Sequence, residues 1–253
     1  MPKSYIIFGA SSGIGAACAR QLAGKDVRLI LVARRTERLE SLASNLPGSV
    51  IPVTYDLHDL EGIQSVFRPC EEGEFKLDGM VYSAGIDGVW PVKTNRIDRM
   101  REMMDVNCFA FVEAAKHFYK KKYSMDGSSI VAISSIASLS HEKGLMSYTA
   151  SKASLNSVVQ TMAVEFASRF IRVNAILPGG VDTEMAREKG QIMAGVYGAC
   201  ENGAIDSKIE KDKQPFGIIP PKIIAEQIAF LLSERAAYIT GGLISVSGGR
   251  KSR

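Results

Sequence analysis

Seven short apolar runs recur along this chain, and a stretch of helical character follows most of them. The runs are Tyr5 to Phe8, Val27 to Ala33, Val50 to Tyr55, Leu77 to Tyr82, Ser129 to Ser134, Ile171 to Leu177 and Leu243 to Val246. Each is rich in branched residues and nearly continuous in its hydrophobicity, the pattern of strands covered on both faces. Between them, Gly13 to Ala23, Thr36 to Ser44, Leu60 to Glu72, Ile97 to Lys121, Tyr148 to Arg169 and Lys222 to Ser233 read as helices. Seven strands threaded by helices predict an α/β fold. The expected form is a doubly wound, Rossmann-like, seven-stranded parallel sheet with helices on both faces. No linker, repeat or low-complexity tract divides 1–253, so one domain is expected.

Composition narrows the partners. Hydrophobic residues make up 46% and charged residues 23% of 253, the balance of an ordinary globular chain. Thirty-one basic against 27 acidic residues leave +4, with no long basic run, so no nucleic-acid partner is expected. No run approaches the roughly 18 apolar residues of a membrane helix, so no membrane partner is expected either. Met1-Pro2-Lys3-Ser4 leads straight into the first strand, so no cleavable leader is expected. Cys18, Cys70, Cys108 and Cys200 are scattered, with no CxxC pair. They read as reduced, packed thiols of a cytoplasmic protein, and no metal is expected.

The turn after the first strand is Gly9-Ala10-Ser11-Ser12-Gly13-Ile14-Gly15, and it opens a helix. Glycines there allow a tight turn and a close backbone approach to a pyrophosphate, while the helix N-terminus offers its positive dipole end. Ser11 and Ser12 add hydroxyls that donate to a ligand or cap the helix. Any strand-to-helix turn uses glycine and serine, but this one stands first in an alternating α/β chain, which favours nucleotide binding. Asp182 to Gln214 breaks the alternation with charges, glycines and no strand signal. Such a connection reads as a substrate lid or as a surface insertion. Met185, Ile192, Met193, Val196 and Tyr197 give it a partly apolar character suited to a pocket wall or to packing.

Spacing of the form GxxxGxG resembles the first turn of the short-chain dehydrogenase/reductase family, and further matches run along essentially the whole chain. Tyr82-Ser83-Ala84-Gly85 stands where the family has Asn-Asn-Ala-Gly. Asn107 lies in Met104-Asp105-Val106-Asn107, Ser135 follows Ile133-Ser134, and Tyr148-Thr149-Ala150-Ser151-Lys152 matches YxxxK. Pro178-Gly179 follows the sixth strand and Thr240-Gly241-Gly242 precedes the seventh. Phe8, in place of a threonine, and Ser83, in place of an asparagine, depart from the pattern at positions with mainly structural roles.

Tyr148 and Lys152 are four residues apart on a helix and so share a face. An ammonium beside a phenol favours the phenolate and lowers its pKa, which suits acid–base work on an alcohol or carbonyl. A surface tyrosine with a solvated lysine would look the same in isolation. Ser135, at a strand end on the ligand-binding edge of such sheets, favours a site. The resemblance implies that Tyr148 protonates the carbonyl, Ser135 holds its oxygen, Lys152 bonds the nicotinamide ribose and Asn107 anchors a proton relay. Ser134 is the neighbouring alternative, pointing to the other face. Asn107 also reads as a buried amide that bends its helix.

The second strand ends Val32-Ala33-Arg34-Arg35, with Ala33 where an NAD-preferring fold places a carboxylate. Arg34 and Arg35 can engage a 2′-phosphate, so the cofactor expected is NADP(H). The resemblance places Asp56 and Leu57 on the adenine and Ala84 and Gly85 along the dinucleotide. It sets Pro178, Gly179, Val181 and Thr183 against the nicotinamide. His58 reads as a surface residue. The expected activity is an NADP-dependent carbonyl reductase or secondary-alcohol dehydrogenase acting on a small molecule. Two alternatives stand beside it. One is a 3-oxoacyl-carrier-protein reductase, for which Arg169 fits a carrier contact while Ser129 replaces another arginine. The other is a non-catalytic NADP-binding sensor or scaffold. A homo-oligomer, dimer or tetramer, built on the two long helices is implied by the resemblance.

Overall fold

The computed structural model describes residues 2–140, 142–197 and 214–250. Strands β1 (Lys3–Phe8), β2 (Val27–Ala33), β3 (Ser49–Thr54), β4 (Leu77–Tyr82), β5 (Ser124–Ile133), β6 (Arg172–Pro178) and β7 (Leu243–Val246) form one sheet. Its order is β3-β2-β1-β4-β5-β6-β7, with every pairing parallel. The fold is the expected single-domain Rossmann-like sheet, and its order reverses between β1 and β4. Ligands of such sheets bind outside the strand ends at that crevice.

Both faces are dry because side chains alternate along each strand. Ile6 and Phe8 of β1 and Ile30 and Val32 of β2 point to one side. There they pack with Phe111 and Phe118 of α5 (Ala110–Phe118) and Leu155 and Val159 of α6 (Met146–Glu165). Ile7, Leu29 and Leu31 point to the other side. They meet α1 (Gly13–Leu22), α2 (Thr36–Ser44) and α8 (Pro221–Leu232) through Cys18, Leu39 and Ile228. Phe8 is fully buried with its ring centroid 5.5 Å from that of Tyr82, so the residue that departs from the family's threonine fills the core.

Three expected helices change type along their length, Tyr148 to Arg169 because α6 ends at Glu165 and a 3-10 turn (Phe166–Arg169) follows. Leu60 to Glu72 is a 3-10 stretch (Glu61–Phe67) running into the short α3 (Arg68–Glu72), with Pro69 in its first turn. Proline lacks the N–H that would carry an α-helix through that point. Ile97 to Lys121 divides into α4 (Ile97–Met104), a π-turn (Asp105–Phe109) and α5, with Ala110 N–H reaching the Asp105 carbonyl. The widened turn falls on Asn107, as π-bulges often do at functional sites.

The segment after β6 leaves and rejoins the sheet through a seam. Val181 pairs with Ile219 in a parallel bridge, Asp182 N–H donates to the Ile219 carbonyl at 3.0 Å, and Ile219 N–H donates to Gly180 at 2.9 Å. Gln214 is fully buried at this base. Its Oε1 accepts from Gly180 N–H at 2.7 Å and its Nε2 donates to the Gly180 and Gly217 carbonyls. The expected lid boundary at Gln214 is therefore corrected: that residue is an anchor in the floor. The outer part begins as α7 (Glu184–Tyr197), and residues 198–213, with Cys200, lie outside the described residues.

Gly9 makes the crevice possible. Its φ is +78°, and a Cβ there would lie 2.6 Å from Ala84 N and 2.7 Å from Ala84 Cα. Gly9→Ala combines left-handed strain with a backbone clash, so we expect a loss of about 3 kcal/mol or more. That corresponds to a melting temperature lower by at least about 6 °C in thermal unfolding. An unshifted transition would contradict this account of the turn.

Candidate active site

A cleft of about 1030 Å³ opens at the carboxyl edge of the sheet, over the β1–β4 crevice. The glycine turn closes one end of it. Gly9, Ser11, Ser12, Gly13 and Ile14 line the wall, whereas Gly15 sits behind them against the Gly9 backbone. α1 begins at Gly13 with no carboxylate in its first turn, and Ser12 at its N-cap makes no side-chain capping bond. This end therefore presents a positive dipole without an internal anion on the turn itself, which fits a dinucleotide pyrophosphate. Gly13 is also close-set: a Cβ there would lie 3.2 Å from Thr183 Cγ2.

At the second strand end Ala33, Arg34 and Arg35 line the cleft, with Asp56, Leu57 and His58 beside them. The two arginines take different positions. Arg34 is exposed and 4.0 Å from Asp56. Arg35, at the start of α2, folds back over the glycine turn. Its Nε donates to Ser11 Oγ at 3.1 Å and its Nη2 to Ser12 Oγ at 2.6 Å. His58 is tied to Asp56, Nδ1 to Oδ1 at 2.8 Å, so it orients that carboxylate rather than standing alone on the surface.

At the other end, β5 delivers Ser135 and α6 delivers Tyr148 and Lys152, all lining the cleft. Ser135 caps the 3-10 turn Ile136–Ser138, accepting from Ala137 N–H at 3.1 Å, and its hydroxyl is hydrogen-bonded to the Tyr148 phenol. Ser134 has the opposite fate expected of its neighbour: buried, it donates to the Lys152 carbonyl at 3.3 Å. Lys152 is buried, with Nζ 2.8 Å from the Ile133 carbonyl it donates to and 6.0 Å from the Tyr148 ring centroid.

Burial governs both titrations. It pushes the phenol up to about 12, against the pull of the Ser135 hydrogen bond, with Asp87 adding to the rise. It pushes the Lys152 ammonium down to about 8, with Asp87 opposing. The expectation that the ammonium lowers the phenol is thus reversed, because desolvation of a half-buried phenol outweighs a cation whose nearest partner is a carbonyl. At neutral pH the site holds a protonated phenol beside an ammonium.

Asn107 does not line the cleft. Fully buried in the π-turn, it accepts from Ile86 N–H at 2.8 Å and donates to the Ile86 carbonyl and to Ser151 Oγ, both at 2.9 Å. It fixes the loop after β4 from behind, where Ala84 and Gly85 face the cleft. A Cβ on Gly85 would lie 3.1 Å from Asn107 Oδ1 and 3.3 Å from Lys152 Nζ. Tyr82, in the motif's first asparagine position, donates to the Val106 carbonyl at 2.5 Å and so grips the same π-turn. Its role was invisible in the sequence, because a tyrosine in a buried strand reads as core.

Pro178, Gly179, Val181 and Thr183 line the same cleft as Ser135. The Thr183 hydroxyl accepts from Ala186 N–H at 3.2 Å, which caps α7 and leaves its own proton to donate. Met185 lines the cleft, Ile192 is exposed, and the side chains of Met193, Val196 and Tyr197 lie outside the described ones. Sequence reasoning also missed Glu184, Arg38 and Asp87. Glu184 accepts from Arg35 and Arg38 across the cleft mouth.

Arg169 is not a surface cation. It is buried, with its guanidinium donating to Ser124 O at 3.0 Å, to Asp126 Oδ1 at 2.7 Å and to the Tyr119 carbonyl. Ser129 is likewise buried within β5. Among the described residues no helix is long and apolar enough to cross a membrane.

Comparison with known proteins agrees with this architecture. The family model for enoyl-(acyl carrier protein) reductase matches residues 9–251. A 3-oxoacyl-(acyl-carrier-protein) reductase of Rickettsia bellii is 31% identical over 247 residues, covering 98% of this chain and 96% of that one. Carbonyl reductase family member 4 of Xenopus laevis is 28% identical over 249 residues, covering 98% of both. The structure of L-sorbose reductase from Gluconobacter frateurii with NADPH and L-sorbose superposes with a TM-score of 0.90 at 26% identity, over 100% and 97% of the two chains. A parallel sheet in this order, a glycine turn at its crevice and these relatives over nearly the full length lead to one conclusion: the chain belongs to the short-chain dehydrogenase/reductase family and is an oxidoreductase acting on a CH–OH or C=O group.

Proposed function

We propose that the protein is an NADP(H)-dependent carbonyl reductase or secondary-alcohol dehydrogenase, with Ser135, Tyr148 and Lys152 as catalytic residues. One observation carries the reading: these side chains line the same cleft as the glycine turn and the arginines that end β2. When bound, the nicotinamide supplies or accepts the hydride. The chain does the rest. Tyr148 gives its phenolic proton to the carbonyl oxygen, Ser135 donates to the same oxygen, and Lys152 holds the nicotinamide ribose by its ammonium. Asn107, away from the cleft, is a positioning residue for Ile86 and Gly85. The dinucleotide lies from Gly9, Ser11, Ser12, Gly13 and Ile14, with Gly15 in support, past Ala84 and Gly85 to Pro178, Gly179, Val181 and Thr183. Asp56 and Leu57 flank the adenine, and Arg34 and Arg35 meet the 2′-phosphate. α7 and the chain beyond it form the substrate lid.

NADP is favoured by the arginines and by the absence of a carboxylate at Ala33, and the sorbose reductase neighbour holds NADPH. A free small molecule is favoured as substrate because Arg169 is spent on backbone carbonyls inside the fold. The second reading, a 3-oxoacyl chain on a carrier protein, is favoured by the names of the relatives. Exposed Ile97, Phe109, Met146 and Val164 on the two long helical segments support a homo-oligomer built there.

The test is a panel of ketoses, small ketones and 3-oxoacyl thioesters followed by NADPH absorbance, with direct binding of NADPH and NADH. Charge-assisted bonds of roughly 1.5–3 kcal/mol each give an expected preference for NADPH of at least ~10-fold. Equal or tighter NADH binding would overturn the NADP assignment. NADPH binding without turnover of any carbonyl would favour the sensor or scaffold instead.

A further inference from the structure

Glu184 opens α7, yet its carboxylate reaches across the cleft mouth to the arginines of α2. Arg35 Nη1 donates to Oε2 at 3.1 Å, Arg38 Nη1 to Oε2 at 2.8 Å and Arg38 Nη2 to Oε1 at 3.3 Å. The same Arg35 holds the Ser11 and Ser12 hydroxyls of the glycine turn. Two guanidiniums and two hydroxyls beside the dinucleotide cleft form a set suited to a phosphate dianion, and a carboxylate of the chain itself sits among them. The arginines hold that carboxylate down to about 2, so it is an anion at any working pH. The contact is confined to one place: Glu188, one helical turn on, also lines the cleft, and among the described residues no ion pair joins it to these arginines.

We propose that Glu184 is a specificity-determining residue that competes with the cofactor's 2′-phosphate for Arg35 and Arg38. A dinucleotide bearing that phosphate must displace the carboxylate, whereas one without it leaves the contact in place. Glu184 therefore lowers affinity for the phosphorylated cofactor selectively and holds the preference between the two below what the arginines alone would set. This inference rests on the NADP(H) reading above.

The test is calorimetric titration of the unmodified protein, Glu184→Gln and Glu188→Gln with 2′,5′-ADP, 5′-AMP, NADPH and NADH. Exposed charge pairs are worth little singly, so the expected gain is modest: about 5-fold tighter 2′,5′-ADP and NADPH in Glu184→Gln. Affinities for 5′-AMP and NADH should stay within about 2-fold, and Glu188→Gln should behave as the unmodified protein. Unchanged 2′,5′-ADP affinity in Glu184→Gln overturns the proposal. So does an equal gain in Glu188→Gln, which would mean a general effect of removing negative charge. Failure of the NADP(H) reading looks different: the unmodified protein would bind NADH as well as NADPH. In that case a gain confined to 2′-phosphate ligands in Glu184→Gln would still support the competition.

Discussion

Replacing Tyr148 by phenylalanine should reduce turnover by at least ~100-fold while NADPH binds almost unchanged. The ring keeps its packing, and only the hydroxyl that shares a hydrogen bond with Ser135 is lost. General acid catalysis contributes ~10²–10⁴-fold. The phenol is held up at about 12. In the reducing direction it therefore keeps its proton through the ordinary pH range, and its own titration should not limit the rate below pH 10. The falling limb should instead follow Lys152, whose ammonium is lost as pH rises through about 8. Steady-state rates over pH 6 to 10 would check both statements. Near-normal turnover in Tyr148→Phe would remove this residue from the mechanism.

Lys152→Met should divide activity from stability. Turnover should fall at least ~100-fold, with weaker cofactor binding, if the ammonium holds the ribose as proposed. The fold, by contrast, should gain. The folded pKa of about 8 lies below the ordinary 10.5. Between those values the unfolded chain binds a proton the folded chain has shed, so stability rises with pH across that window. Below about pH 8 the full cost of burying the charge is present, on the order of 3 kcal/mol. Methionine fills the space without a charge but leaves the Ile133 carbonyl without its donor, which returns about 1 kcal/mol or more. A net gain of ~1–2 kcal/mol at pH 7, or roughly 2–8 °C in melting temperature, is expected. The difference should shrink toward pH 10. A variant less stable than the parent at pH 7 would show that the charge is not a burden to the fold.

The sheet was legible because each strand is an uninterrupted apolar run, and a run covered on both faces leaves few other readings. The helix ends were less so. The break at Pro69 was visible as a residue type, yet the π-turn at Asn107 depends on bonds to Ile86 and Ser151 that no local pattern encodes. Ser135, Tyr148 and Lys152, which spacing and resemblance single out, line one cleft in the structure. What escaped were partners distant in the chain. Glu184 meets Arg38 only because β6 and β2 end on the same edge, and Gln214 was read as lid because its burial comes from Gly180 far upstream. The reversal at Tyr148 has a similar origin: helical spacing places a lysine near a phenol but does not reveal how little water reaches either.

The Val181–Ile219 bridge, with Gln214 beneath it, closes the excursion at its base much as a knot closes the neck of a bag. Strain or slack in the contents is not passed to β6 and β7, because the backbone bonds of the neck are complete without them. For a closed loop, added length costs only about 0.6 kcal/mol per doubling. The sheet can therefore keep its geometry while the enclosed chain beyond the cleft wall is lengthened or shortened. An engineer seeking a new substrate for this scaffold would exchange the chain after α7 and before Gln214, leaving Gly180 to Thr183 and Gln214 to Ile219 as they are.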